Sequence, residues 1–352
     1  MKRRVLRAAL TTAYCLAAAA GIAWALRGAD WETTGELVTP GALPLLLLAA
    51  AVNVAGIGLG MVAWRGLLTG LAGPVPARPA SRLYFISFLG KYVPGRVWTL
   101  LAQIRLAESV GVRPAHMTAT FGLSLAVVTV TGLVTGALIA PSLGVGAAWL
   151  ALPAVVLAAG LIRPAWVAAP MVWASRLVRR ELTLPADADR RLRSAMAVQL
   201  LCWGVSGLHL WLLAILLGAD PLPALPAAVG GFALAMVVGS YAVVVPDGAG
   251  VREVLLALVL APVLPPTAVG VAVVASRLLC LLTEVVTALV VCFGSLSLSR
   301  SRTRPSPSTS TSTSTRNEES HAVITAADTG TDTDARAGTR AGSGAAEADV
   351  HR

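Results

Sequence analysis

Leu89-Gly90-Lys91-Tyr92-Val93-Pro94-Gly95-Arg96 and Val245-Pro246-Asp247-Gly248-Ala249-Gly250-Val251-Arg252-Glu253 interrupt two otherwise apolar stretches with proline, glycine and charge. Hydrocarbon offers no partner to a freed backbone group or to a charge. A break of this kind inside a membrane therefore survives only where protein or a water-filled cavity surrounds it. Paired breaks in two parts of a chain are also the best sequence pointer to a transporter-type binding site. The rest of the chain decides whether these stretches lie in a membrane.

They do. The chain has 352 residues, 56% hydrophobic and only 13% charged. Several of its apolar runs reach the ~20 residues needed to cross a bilayer core. The formal charge of +10 does not indicate nucleic acid, because Lys and Arg cluster at the ends of apolar runs, where topology and anionic lipid account for them. Cys15, Cys202, Cys280 and Cys292 are scattered, with no CxxC or Cys/His spacing. Neither a disulfide framework, a metal site nor a cofactor motif is expected.

The expected fold is all-α: a polytopic integral membrane bundle of about eight spans, including two broken or re-entrant segments. Met1-Lys2-Arg3-Arg4 and Arg7 precede an apolar run over 8–26, read as a first membrane helix rather than a signal peptide, with Asp30, Glu32 and Glu36 beyond it. The charge asymmetry puts the N-terminus in the cytoplasm of a plasma-membrane protein. A second span over 43–64 returns to Arg65, Arg78 and Arg82, and the first broken segment follows over 83–107. Because its flanks Arg82, Arg105 and Arg113 favour the same side, a re-entrant hairpin bent at Pro94-Gly95 fits better than a straight crossing. Spans over 117–140 and 145–162 lead to an interfacial helix over 166–180, with Trp166 and Trp173 on one face. Further spans are expected over 195–217, 223–245 and 267–293, with a half-helix over 251–264 after the second break. Residues 1–298 then form the membrane domain. From 299 the Ser/Thr-rich, apolar-poor sequence cannot bury a core and reads as a disordered cytoplasmic tail.

At the first break, Lys91 and Arg96 flank the Pro94-Gly95 bend beside Tyr92. A helix starting near Gly95 points free N–H groups and a positive dipole end at that bend, which suits an anion such as a lipid phosphate. The alternative is that Lys91 and Arg96 snorkel to the cytoplasmic interface, with Tyr92 and Trp98 as belt residues. At the second break, Gly248 and Gly250 permit a tight turn that exposes N–H groups, and Asp247, Arg252 and Glu253 add charge of both signs. Asp247 as a helix cap, and Glu253 paired with Arg252 or Arg277, is the structural alternative. Arg277 and Glu284 are seven residues apart on the last span, hence on one face, with Cys280 and Thr283 between them. An intramembrane Arg and Glu on one face look into the bundle. Whether they neutralise Asp247 and Glu253 or line a path is open at this point.

Other residues carry less. Asp187-Ala188-Asp189 matches a glycosyltransferase metal motif but is better read as a helix N-cap in a short loop. His209, Gln199 and Asn53 are expected to make interhelical hydrogen bonds. Ser206 has no base nearby in sequence, and no paired carboxylates stand at catalytic spacing.

The string Ser87-Phe88-Leu89-Gly90-Lys91-Tyr92-Val93-Pro94-Gly95-Arg96-Val97-Trp98 resembles the GKYxPG-type signature of the lysylphosphatidylglycerol synthase/flippase transmembrane-region family. Pro246-x-Gly248-x-Gly250-Val251-Arg252-Glu253 and the pair Arg277-Leu278 fit the same family in the same order, over 43–294. The resemblance implies a helical membrane fold with re-entrant pieces, associated in the aminoacyl-phospholipid members with flipping the modified lipid. Those members also carry a soluble aminoacyltransferase domain, for which this sequence leaves no room, so lysyl transfer is not expected. Asp247 departs from the small residue expected at that place in relatives.

Three functions follow. The first is translocation or binding of an anionic lipid, either a phospholipid or a polyprenyl-phosphate-linked intermediate, at a site between the two breaks: Lys91, Tyr92, Pro94, Gly95 and Arg96 on one wall, Asp247, Gly248, Gly250, Arg252, Glu253, Arg277 and Glu284 on the other. The second is a membrane-embedded transferase using Asp247 or Glu253 on a lipid-linked donor. The third is an accessory or scaffold protein for envelope lipid synthesis.

Overall fold

A computed structural model describes residues 35, 39–92, 97–143, 146, 151–177, 186–242 and 246–302, all within the compact unit 1–304. The helix expected over 8–26, the residues Pro94, Gly95 and Arg96, and the tail beyond 302 lie outside the described residues. Among the described residues every regular element is helical. In order these are α1 (Leu43–Ala72), α2 (Ala77–Phe88), a 3₁₀ turn (Leu89–Tyr92), α3 (Val97–Glu108), α4 (Pro114–Gly136), a 3₁₀ segment (Ala137–Leu143), α5 (Ala151–Ile162) and α6 (Ala165–Leu177). Then follow α7 (Ala188–Leu216), α8 (Pro221–Tyr241), a 3₁₀ turn (Pro246–Gly248), α9 (Val251–Leu260) and α10 (Pro266–Arg302). Prolines open α4, α8 and α10, where the missing N–H is one the helix end would leave unpaired anyway.

Five of these helices are long and apolar enough to span a membrane, and a sixth span arises if the bent pair α5–α6 counts as one. The expected count of about eight also takes in the segment over 8–26, which lies outside the described residues, and the two broken segments. The two broken segments contribute only short pieces, α2, α3 and α9, of 12, 12 and 10 residues, too short to cross ~30 Å alone at 1.5 Å per residue. The span expected over 145–162 and the separate helix expected over 166–180 correspond to α5 and α6, which meet at 80°. Pro164 disfavours helical geometry at Arg163 and ends α5 there. Trp166 and Trp173 do share an outward face, at 66% and 65% exposure. The second span runs beyond 64 to Ala72 because Arg65 has a local partner, donating from Nη2 to the Val75 carbonyl at 3.0 Å. The last helix continues to Arg302, past the residue where the tail was expected to begin. Asp187 stands at the N-cap position of α7, but its side chain makes no cap; it accepts instead from Arg191 Nε at 2.7 Å.

The core is built from small residues. The face of α1 that carries Ala49, Asn53, Gly56, Gly60 and Ala63 is buried, and α7 is the helix against which α1 packs most extensively. Gly60 leaves room for the Tyr84 hydroxyl and the Cys202 sulfur. On α8, Ala224, Ala227, Ala228, Gly230, Gly231, Ala233 and Ala235 are all buried, against α7, α4 and α9. Close backbone approach through small side chains is how helices associate where lipid supplies no hydrophobic drive. One consequence is a test of this packing. A Cβ on Gly207 of α7 would lie 2.6 Å from the Val229 Cα of α8. Gly207→Val is therefore expected to cost about 3 kcal/mol by overpacking and to lower the midpoint of thermal aggregation in detergent. Gly204→Ala, with nothing within 4 Å of its new methyl, leaves that midpoint unchanged.

Candidate functional site

The two breaks meet. The turn Leu89–Tyr92 touches the turn Pro246–Gly248, and α10 runs past both. Six charged side chains of the described residues converge there. Lys91 Nζ lies 2.7 Å from Glu284 Oε1 and 3.6 Å from Asp247 Oδ1. The Tyr92 hydroxyl donates to the second oxygen of the Glu284 carboxylate. Arg252 and Arg277 approach Asp247 Oδ2 at 3.7 and 3.8 Å, and Arg277 Nη1 is 2.6 Å from Glu253 Oε1. Three cations thus face three carboxylates.

Each side chain is placed by a local rule. Glu284 and Arg277 stand on one face of α10, two turns apart, and both look inward, at 5% and 17% exposure. Glu284 does not neutralise the second break; it reaches the first, and Arg277 alone serves the second. Lys91, at 15% exposure, does not snorkel to an interface, and its ammonium also lies over the Phe88 ring at 4.3 Å. Tyr92 is likewise committed to Glu284 rather than to a lipid belt. The cap of α9 is not Asp247. Gly250, at φ 88°, turns the chain, and its N–H donates to Glu253 Oε2 at 2.6 Å, a capping-box contact. Arg252, on the first turn of α9, is buried at 3% exposure, over the Phe232 ring at 5.3 Å.

Behind the charges lies a layer of neutral polar groups. Asn53 Nδ2 donates to Thr283 Oγ1 at 2.7 Å, tying α1 to α10. His209 donates from Nδ1 to the Ser206 carbonyl, which leaves Nε2 to accept from Ser276 Oγ at 2.8 Å and fixes the tautomer. Cys280 Sγ lies 3.6 Å from His209 Nε2 and 3.5 Å from Arg252 Nη2. Cys280 and Thr283 fall on the face between Arg277 and Glu284, so the heptad spacing that located the charged pair located these as well. Phe88 and Phe232 carried no such signal, because a phenylalanine in an apolar run reads as packing. Among the described residues, no group of three His, Cys, Asp or Glu side chains is placed to hold a metal ion.

The charged cluster forms part of the wall of a cavity of about 240 Å³. Lys91, Asp247, Arg252 and Glu284 line one part, and Trp64, Tyr84, Phe88, Phe121, Trp203 and Phe232 supply aromatic walls, with Gln103, Gln199 and Ser206 between them. The two break motifs and α10 therefore bring together Lys91, Tyr92, Asp247, Gly248, Gly250, Arg252, Glu253, Arg277 and Glu284. Pro94, Gly95 and Arg96 lie outside the described residues. A mainly apolar cavity with a few convergent polar groups at one part of its wall is the common form of a ligand site.

No curated protein matches the sequence. The family described as the lysylphosphatidylglycerol synthase TM region matches residues 5–289, which takes in both breaks and all six charged residues of the cluster. The chain belongs to the lysylphosphatidylglycerol synthase transmembrane-region family of integral membrane proteins.

Proposed function

We propose that the chain binds an anionic lipid headgroup at the meeting point of the two breaks and carries that lipid between leaflets of the plasma membrane, with its N- and C-termini in the cytoplasm. The observation that carries this reading is the convergence of Lys91, Arg252 and Arg277 on Asp247, with Lys91 and Arg252 in the wall of an aromatic-lined cavity. Buried cations with nearby aromatic walls suit a ligand with one charged and one apolar end. The shared chemistry is a phosphate ester, carried by a phospholipid or by a polyprenyl-phosphate-linked intermediate. A transferase role has less support, since its base would be Asp247 or Glu253: Arg277 holds Glu253 at 2.6 Å, and three cations surround Asp247.

Native mass spectrometry of protein released from micelles with equal phosphatidylglycerol and phosphatidylcholine tests the binding. Wild type is expected to retain phosphatidylglycerol preferentially. Arg252→Gln removes a desolvated charge contact of the kind worth about 2–5 kcal/mol, so the retained anionic lipid should fall at least ~10-fold. Equal retention by wild type and Arg252→Gln contradicts the site.

A further inference from the structure

The geometry points to Asp247 as a built-in occupant of the anion seat, a carboxylate that a singly charged lipid phosphodiester must displace to bind. The inference rests on the reading of this cluster as an anionic-lipid site.

The first observation is how the charges divide. Glu284 is committed to Lys91 at 2.7 Å and accepts from Tyr92. Glu253 is committed to Arg277 at 2.6 Å and to the Gly250 N–H. Asp247 has no such commitment among the described residues. Lys91, Arg252 and Arg277 surround it at 3.6, 3.7 and 3.8 Å, all longer than the roughly 2.7–2.9 Å of a charge-assisted hydrogen bond. Three cations are thus spaced around a carboxylate that none of them grips, leaving room for an anion with more oxygens.

The second observation is the backbone. Asp247 is the one described non-glycine residue at positive φ, with φ 47° and ψ 28°. Holding a non-glycine residue there costs free energy, and such strain gathers at functional sites. The turn that holds it spans three residues, ends on Gly248 and is followed by Gly250, both glycines at positive φ. Withdrawing this carboxylate needs no movement of a long helix.

The third is charge balance. Lys91 with Glu284 and Arg277 with Glu253 are neutral pairs, and Arg252, at 3% exposure, has Asp247 as its only close carboxylate among the described residues. One negative charge therefore belongs at this position. A phosphodiester carries one, so it exchanges with Asp247 without leaving Arg252 unpaired. The ligand class that fits is a monoanionic phosphodiester lipid rather than a phosphomonoester, whose second charge has no free cation here among the described side chains.

The test is phosphatidylglycerol binding to the full chain in nanodiscs of phosphatidylcholine, comparing wild type with Asp247→Asn. Asparagine keeps the shape and tolerates positive φ but leaves Arg252 without its close carboxylate. Binding is expected to tighten at least ~10-fold, and Arg252→Gln in the same background should abolish the gain. Asp247→Gly, which also relieves the backbone, should show the same gain. Binding by Asp247→Asn that equals or falls below wild type overturns the inference, as does a gain confined to Asp247→Gly, which would trace to strain alone. If Arg252→Gln weakens wild-type binding while Asp247→Asn brings no gain, only the displaced-carboxylate idea fails. If Arg252→Gln changes nothing in either background, the anionic-lipid site fails with it. A phosphatidic acid arm separates the ligand classes: Asp247→Asn should gain more for phosphatidylglycerol than for this phosphomonoester, and the reverse order refutes the monoanion assignment.

Discussion

Glu284→Ala is expected to destabilise the bundle by about 3–5 kcal/mol, the cost of leaving one partner of a buried ion pair unpaired. Glu284 is 5% exposed, and its two oxygens serve Lys91 at 2.7 Å and the Tyr92 hydroxyl. Without it, the one carboxylate left near Lys91 among the described residues is Asp247, at the longer 3.6 Å, and the first break loses the tie that these two contacts make to α10. Lys91→Met combined with Glu284→Met removes both charges together and should recover most of the loss, since an apolar pair in place of a buried ion pair is often neutral. Thermal unfolding in detergent by circular dichroism measures all three variants against wild type. A single substitution as stable as the double one would mean that the two side chains do not interact in the folded protein. The double variant should still lack lipid binding, which separates the fold's need for this pair from the site's.

Gly248→Ala should be at least as damaging as Glu284→Ala. Its Cβ would lie 2.6 Å from the Gly239 carbonyl oxygen of α8, a backbone atom that no rotamer change can move aside. The residue also sits at φ 66°, where a side chain adds strain of its own. Both effects act on the turn that carries Asp247 against α8. We expect little or no monodisperse protein, with a loss of more than about 3 kcal/mol. Gly239→Ala offers a control from the other side of the same contact. There the new methyl meets Arg252 Cβ at an ordinary 3.5 Å, and the yield and melting point should stay close to wild type. If both alanines behave alike, the close approach of the turn to α8 is not as described.

The reach of the sequence differs between fold and site for physical reasons. Long apolar runs bounded by prolines and arginines were legible because span length and end chemistry are local properties. So were the two breaks, since proline, glycine and charge within an apolar run have few other readings. The seven-residue interval of Arg277 and Glu284 placed both inside the bundle, but it did not say which break each would serve. That pairing depends on how α10 crosses the two turns, a long-range fact that no local spacing encodes. Gly250 rather than Asp247 proved to be the cap because Glu253 reaches back to its N–H, a competition between two acidic residues that composition cannot resolve. The boundary between α5 and α6 was legible in the sequence, but the 80° angle between them was not. The aromatic walls were illegible for another reason: Trp64, Tyr84, Trp203 and Phe232 come from four helices and meet only in the fold.

The cluster presents a connected account. Lys91 and Glu284 hold the first break to α10, Arg277 and Glu253 hold the second, and Arg252 with Asp247 remains as the pair an incoming anion exchanges with. Fluorescent phosphatidylglycerol movement between leaflets of proteoliposomes, followed by quenching of the outer leaflet with dithionite, tests this most directly. Wild type should expose phosphatidylglycerol from the inner leaflet faster than phosphatidylcholine, and Arg252→Gln should reduce the phosphatidylglycerol rate at least ~10-fold while leaving the folded protein intact. Equal rates for the two lipids, or for wild type and Arg252→Gln, would contradict the assignment of the two breaks to an anionic-lipid path.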